Sequence, residues 1–217
     1  MRTSRRSLLA AGGTGALALT AGCLDFVLGN GPLEFDAERA APTPAALEDT
    51  EYEEREVETG AIDETVEVGV EREVRASYWA SSYAKAIEYE GEAREAGVFA
   101  AVSLPEIAVA DRSFNPIDDM SNEELLTEFF DRVDGGAAIE NVRHDDSFTL
   151  EILEGTRDVA VFVGETDFAG ERVDVELQLA TFDHEDDSIV LLGSYPELFV
   201  EESAAIEVLM ESVEHPV

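Results

Sequence analysis

FTLEILEGTRDVAVFVGETDFAGERVDVELQLATFDHEDDSIVLL, residues Phe148 to Leu192, is the stretch that decides the fold. Phe148, Leu150 and Ile152 alternate with Thr149 and Glu151. A turn is expected at Glu154-Gly155, followed by Val159, Val161 and Val163. A second turn at Ala169-Gly170 leads to Val173, Val175, Leu177 and Leu179, spaced by Asp174, Glu176 and Gln178. A third at Glu185-Asp186-Asp187 precedes Ile189 to Leu192. Successive side chains on a strand point to opposite faces, so this period of two predicts strands with one apolar face. Links this short join antiparallel neighbours, and the stretch therefore predicts a meander.

Such a face needs a cover, and the flanking sequence offers one. Downstream, Ile206, Leu209, Met210 and Val213 share one face of a C-terminal helix. Upstream, Ser121 and Glu124 have capping-box spacing, and Leu125, Leu126, Phe129, Phe130 and Val133 line the helix they start, with Gly135-Gly136 ending it. Val98 to Ala110 is nearly all apolar and predicts a buried strand that bends or ends at Pro105. Val66, Val68, Val70, Val74, Ala76 and Tyr78 keep the period of two with polar residues between them, a strand with one wet face. Thr43-Pro44 reads as an N-cap and first helical position, before a strand-like Thr50 to Val57. The expected class is α+β: one domain over residues 34–217, with a curved antiparallel sheet covered by a few helices, the C-terminal helix among them.

The N-terminus carries an address. Ser4-Arg5-Arg6-Ser7-Leu8-Leu9 resembles a twin-arginine export motif, with a short glycine-diluted apolar stretch behind it. Thr20-Ala21-Gly22-Cys23 resembles a lipobox, and the cysteine is the chain's only one. Residues 1–22 are thus expected to be a lipoprotein signal peptide and residues 23–33, with two glycines and a proline, a lipidated tether. Arg5 and Arg6 would be read by the export machinery, and Cys23 would carry the lipid. The expected location is the extracytoplasmic face of the cell membrane. A lone cysteine excludes an intramolecular disulfide framework. A thiol nucleophile is excluded as well if Cys23 is lipidated.

The 217 residues hold 14 Lys plus Arg against 50 Asp plus Glu, a net charge of −36, while 45% are hydrophobic. Removing residues 1–22 takes Arg2, Arg5 and Arg6 and no acid, leaving 11 basic against 50 acidic residues and a net charge of −39. Nucleic-acid binding rests on neutralising phosphates, so this balance speaks against it. Lys85 is the only lysine. Abundant carboxylate with almost no lysine resembles haloarchaeal composition. Near ~1 M salt the Debye length falls to about 3 Å, and neighbouring carboxylates hardly repel. The acids are spread through every segment, so a local acidic run is first a hydrated surface.

The export motif, the lipobox, the Asn115-Pro116 to Met120-Ser121 helix start and Tyr195-Pro196-Glu197 before the last helix together resemble a family of haloarchaeal twin-arginine-exported surface lipoproteins of uncharacterised function. That resemblance implies no activity. The meander followed by a C-terminal helix is also similar to the PsbP-like fold, which includes lipid-anchored or extrinsic accessory proteins.

Candidate chemistry is sparse. Gly193-Ser194-Tyr195-Pro196 lacks the second glycine of a nucleophile elbow, and Ser194 reads first as a helix cap. No cofactor is signalled. The three histidines, His144, His184 and His215, show no zinc-motif spacing. His144 and His184 are expected between strands, and His215 at a helix terminus. Asp183, Asp186 and Asp187 are candidate oxygen ligands for a hard cation, against the simpler reading of a solvated turn. Trp79, Tyr78 and Tyr83 form the densest aromatic group, read as packing ahead of a ligand platform. These features support a non-enzymatic, lipid-anchored cell-surface protein that binds or supports an envelope component. The alternatives are an extracytoplasmic hydrolase and a divalent-cation-binding module. The membrane, through Cys23, and an envelope protein are the expected partners.

Overall fold

The computed structural model describes residues 32–217 apart from 68–70, 110–111, 114, 116, 118–119 and 133–138. The export motif, Cys23 and most of the tether therefore lie outside the described residues, as do Val133 and Gly135-Gly136.

The strands are β1 (Leu33–Asp36), β2 (Ala41–Pro42), β3 (Glu53–Glu67), β4 (Glu71–Tyr89), β5 (Glu92–Pro105), β6 (Ala108–Val109), β7 (Arg112–Ser113), β8 (Glu140–Ile152), β9 (Gly155–Phe168), β10 (Glu171–His184), β11 (Asp187–Pro196) and β12 (Val213–Glu214). The helices are α1 (Pro44–Thr50), α2 (Asn122–Arg132) and α3 (Glu202–Glu211), with a 3₁₀ turn at Glu197–Phe199. The main sheet runs β1-β4-β5-β11-β10-β9-β8, with β3 also paired to β4. The meander from β8 to β11 is antiparallel throughout. Its last strand returns to β5, setting Phe99 opposite Gly193. The fold is α+β, with a curved antiparallel sheet and a C-terminal helix over it, as the alternation predicts.

The hairpins turn as strand twist demands. Two-residue links with positive φ match the right-handed twist of their strands. Glu90-Gly91 and Ala169-Gly170 both take that form. The β8–β9 link is Leu153-Glu154, with φ of 49° and 59°, one residue earlier than expected, and Gly155 opens β9. The β10–β11 link is Glu185-Asp186, so Asp187 belongs to the strand rather than the turn.

Both faces of the meander are covered. On one face Phe99, Ile189, Leu191 and Tyr195 pack with Ile206, Leu209 and Met210 of α3. On the other, Leu126 of α2 packs with Phe162, Leu177, Leu179 and Leu192. Gly193 lets α3 sit close, because a Cβ there would lie 2.2 Å from Ile206 Cγ2. The two upstream helices start as their sequences dictate. Ala46 N–H donates to Thr43 Oγ1 at 3.3 Å. Glu124 N–H donates to Ser121 Oγ and Ser121 N–H to Glu124 Oε2, at 3.3 and 2.8 Å.

Several expectations need correction. The run from Val66 to Tyr78 is shared between two strands, since β3 and β4 pair with each other; Val68 and Val70 lie outside the described residues. Val213 is not on the last helix; it pairs with Pro42 in the β2–β12 ladder. Ser194 caps nothing, since it lies within β11 opposite Leu177 and Val98. His144 lies inside β8, beside a register shift, and shares a hydrogen bond with Ser147 at 3.0 Å. Pro105 does end its strand. The aromatic group packs: Tyr83 is buried, and Trp79 Nε1–H donates to Ala37 O at 3.1 Å.

The described part of Asp63–Arg75 forms a compact unit distinct from that of Phe35–Ile62 with Ala76–Val217. Within the smaller unit, Arg75 Nε–H donates to Asp63 Oδ1 at 2.7 Å. The larger unit holds the sheet core and the site below. No helix among the described residues is long and apolar enough to cross a membrane.

Candidate cation site at the β10–β11 hairpin

β10 and β11 carry their polar ends to the hairpin, where apolar alternation gives way to Asp183-His184-Glu185-Asp186-Asp187. Two other segments meet it there. The chain leaving β1 runs through Asp36, Ala37 and Glu38, and the chain leaving β12 brings His215. Together they line a cleft of about 330 Å³ bounded by Asp36, Ala37, Glu38, Glu185, Asp186, Asp187 and His215.

Backbone bonds lock these segments. Glu38 N–H donates to Asp187 Oδ2 at 2.7 Å. Val217 N–H donates to Arg39 O at 3.0 Å, and Glu106 N–H donates to Asp186 O at 2.8 Å. Ser103 Oγ–H donates to Glu38 O at 2.5 Å.

Within the cleft, His215 Nε2 lies 2.9 Å from Asp187 Oδ2. A carboxylate only accepts, so His215 Nε2 carries the proton and, in the neutral ring, Nδ1 presents a lone pair. That lone pair faces His184 Nδ1 at 2.9 Å. With His215 neutral, His184 Nδ1–H is the donor of that bond. His184, Glu185 and His215 each offer one ligand atom, and the three atoms all lie within 4.8 Å of one another. His215 is buried, His184 half-buried and Glu185 exposed. The cluster thus reaches from the interior to solvent.

The three candidate aspartates separate. Asp183 accepts from Ser188 Oγ at 2.7 Å, and Ser188 Oγ in turn accepts from Asn115 Nδ2 at 2.7 Å. Asp183 thus braces the hairpin outside the cleft lining. Asp186 is exposed and lines the cleft. Asp187 is 4% exposed and holds His215 and the Glu38 backbone in place. The sequence reading places His215 at a helix terminus, but it lies beyond β12, next to a cis His215-Pro216 bond and against Asp187. The contribution of Glu185 is also missed. The available signal is weak: all three histidines stand beside acids in the sequence, so adjacency does not single out His184 and His215.

Ser194 shares no hydrogen bond with a histidine among the described residues. The ring of His144 turns to Ser147, and those of His184 and His215 to each other.

A family model described as "Domain of unknown function (DUF6517)" matches residues 39–214. The chain belongs to this family. No curated protein sequence matches the chain. Among solved structures, it is similar to that of LpqN, involved in cell envelope biogenesis of Mycobacterium tuberculosis. Identity there is 8%, with a TM-score of 0.28, over 79% of this chain and 95% of that one. The matched DUF6517 span includes His184, Glu185 and Asp187, while Asp36, Glu38 and His215 flank it.

Away from the cleft, this DUF6517 domain also buries an ion pair. Lys85 Nζ lies 2.8 Å from Glu202 Oε1 at the start of α3, and Tyr52 O–H donates to Glu202 Oε2 at 3.1 Å. Burial first, then the Glu202 charge, pushes the Tyr52 phenol far above its ordinary range, so it stays a donor. Gly97 makes room, since a Cβ there would lie 2.2 Å from the Tyr52 hydroxyl. This pair fastens α3 to the sheet.

Proposed function

We propose that the chain is an exported, lipid-anchored surface protein of a halophilic archaeon that works by binding, as an accessory component of the cell envelope. Its binding site is the cleft at the β10–β11 hairpin, and its ligand is cationic. The observation that carries this reading is the lining. Asp36, Glu38, Glu185, Asp186 and Asp187 converge there, against His215 in the lining and His184 behind it. Such a cleft attracts cations and repels anions. The anchor is supported by the order of Arg5-Arg6, an apolar stretch and Ala21-Gly22-Cys23 in the sequence. Two lipid chains hold a protein on a membrane where one binds only marginally.

The test is a panel of cations added to the detergent-extracted protein in molar KCl, read by melting temperature. At least one class should stabilise the protein, by about 2.7 kcal/mol at a hundredfold excess over Kd. If no cation in the panel does so at millimolar concentration, the binding reading falls. Separately, Cys23→Ser should move the protein from the membrane fraction to the medium, or block its processing. Unchanged membrane retention overturns the anchor.

A further inference from the structure

We infer that His184, Glu185 and His215 form a coordination site for a divalent transition-metal ion of the zinc, nickel or cobalt class. This inference rests on the cleft being a cation site and names the ion class. Carboxylates alone would not choose it, because oxygen donors suit Mg²⁺ and Ca²⁺. Imidazole nitrogen suits Zn²⁺, Ni²⁺ and Co²⁺ instead.

The geometry is nearly that of a bound site. Tetrahedral Zn²⁺ with Zn–N of about 2.0–2.1 Å holds two nitrogens roughly 3.3 Å apart. The two Nδ1 atoms are 2.9 Å apart and the ring centroids 5.2 Å apart, so the two nitrogens face each other directly; to share one ion the rings must part by a few tenths of an ångström and tilt so that both lone pairs aim at it. An ion entering between them displaces the His184 Nδ1 proton to solvent, and His184 takes one up at Nε2, so both rings ligate as neutral imidazoles. Asp187 holds His215 Nε2–H, so in the neutral ring the Nδ1 lone pair, which otherwise accepts from His184, is the atom turned to the ion. A carboxylate on the far nitrogen of a ligating histidine is the arrangement that fixes ring orientation and raises donor strength. Asp187 is therefore a positioning residue rather than a ligand. Glu185 supplies the oxygen. Its backbone is left-handed, with φ of 55°, in the two-residue link directly after His184. Three protein ligands leave a coordination position for water or an outside donor.

Screening in molar salt strengthens the argument. Potassium and magnesium compete for carboxylates, and long-range attraction is damped within a few ångströms. Neither ion competes for imidazole nitrogen, so the two histidines give the site its selectivity.

The test uses the full chain, detergent-extracted in molar KCl and stripped with chelator. Zn²⁺ alone is titrated by calorimetry, and Co²⁺ by its visible absorption. One equivalent should bind, with Co²⁺ showing the intense bands of a low-coordinate site. His184→Ala should weaken Zn²⁺ binding at least thirtyfold, and Glu185→Gln about tenfold. Asp187→Asn should weaken it tenfold or more. Asp183→Asn, outside the cleft lining, should change it less than threefold. His184 is half-buried and outside the apolar core, so its variant keeps the test valid if His215→Ala fails to fold. Zn²⁺ affinity unchanged in folded His184→Ala overturns the assignment. Binding of Ca²⁺ or Mg²⁺ that needs Asp186, with none of Zn²⁺ or Co²⁺, overturns it while leaving the cation-binding cleft in place. If neither class binds, both readings fall.

Discussion

Glu185 sits where glycine or asparagine would be easier, in a left-handed conformation that costs an ordinary L-residue about 1 kcal/mol or somewhat more. Its side chain is exposed, so packing does not demand it. Glu185→Gly should therefore raise the stability of the metal-free protein by about 1 kcal/mol, read from a urea midpoint. The same variant should bind Zn²⁺ more weakly. A loss of stability would show that the glutamate serves the hairpin. Lys85 makes the opposite case. Its removal leaves the Glu202 carboxylate, with 3% of its side chain exposed, without a counter-charge. Lys85→Ala should cost about 3–5 kcal/mol. Arg75→Ala, which breaks an exposed pair with Asp63, should cost less than about 1 kcal/mol. Equal losses would mean that Glu202 finds water when its partner goes. At this scale the site was poorly legible in the sequence. His184 and Asp187 stand out in a turn, but only the fold brings His215 to them from beyond β12. No spacing rule relates two histidines carried by separate elements, and carboxylate is too common here to mark a site.

α3 and the sheet meet through the absence of a side chain. Gly193→Ala would set a Cβ 2.2 Å from Ile206 Cγ2, and the helix would have to lift. A loss of about 1–3 kcal/mol is expected in denaturant melts. An unchanged midpoint would mean that the helix shifts freely. α2 tests electrostatics. The Ser121 backbone N–H, and then its hydroxyl, hold the Glu124 carboxyl below its ordinary range. A depressed carboxyl stabilises the fold above its unfolded pKa, and the benefit is lost as pH falls through the lower folded value. Glu124→Gln should therefore weaken the protein at neutral pH and converge with the parent below about pH 4. A constant gap through acid pH would mean that the charge plays no part. Elements were the most legible level. Thr43, Ser121 and Glu124 announce their caps, and the alternation from Phe148 announces the meander. What failed did so for physical reasons. Val66 and Val74 keep one period in the sequence, yet they belong to β3 and β4, two strands that pair with each other. Val213 fits a helical face yet pairs with Pro42. Leu153-Glu154 carries no glycine, so its turn looks displaced by one residue.

The whole molecule carries a net charge of −36, with its acids spread from Asp25 to Glu214. Dilution from molar salt to below ~0.01 M lengthens the Debye length to about 30 Å, and carboxylates across the surface then repel together. The far-ultraviolet circular dichroism of the sheet should be lost on dialysis and restored by KCl. A spectrum indifferent to salt would remove the halophile reading. Sheet order adds a consequence in time. The β4–β5 hairpin and the β8–β11 meander join neighbours in the chain, whereas the seam of Phe99 opposite Gly193 joins distant ones. Closing so wide a loop spends chain entropy before contacts return it, which slows folding. The seam should therefore form last, and Gly193→Ala should speed unfolding far more than it slows refolding. A substrate of twin-arginine transport crosses the membrane already folded. If this chain is exported by that route, as proposed above, the lifetime of the half-built sheet, with the apolar edges of β5 and β11 still bare, would set how long it must wait in the cytosol before export.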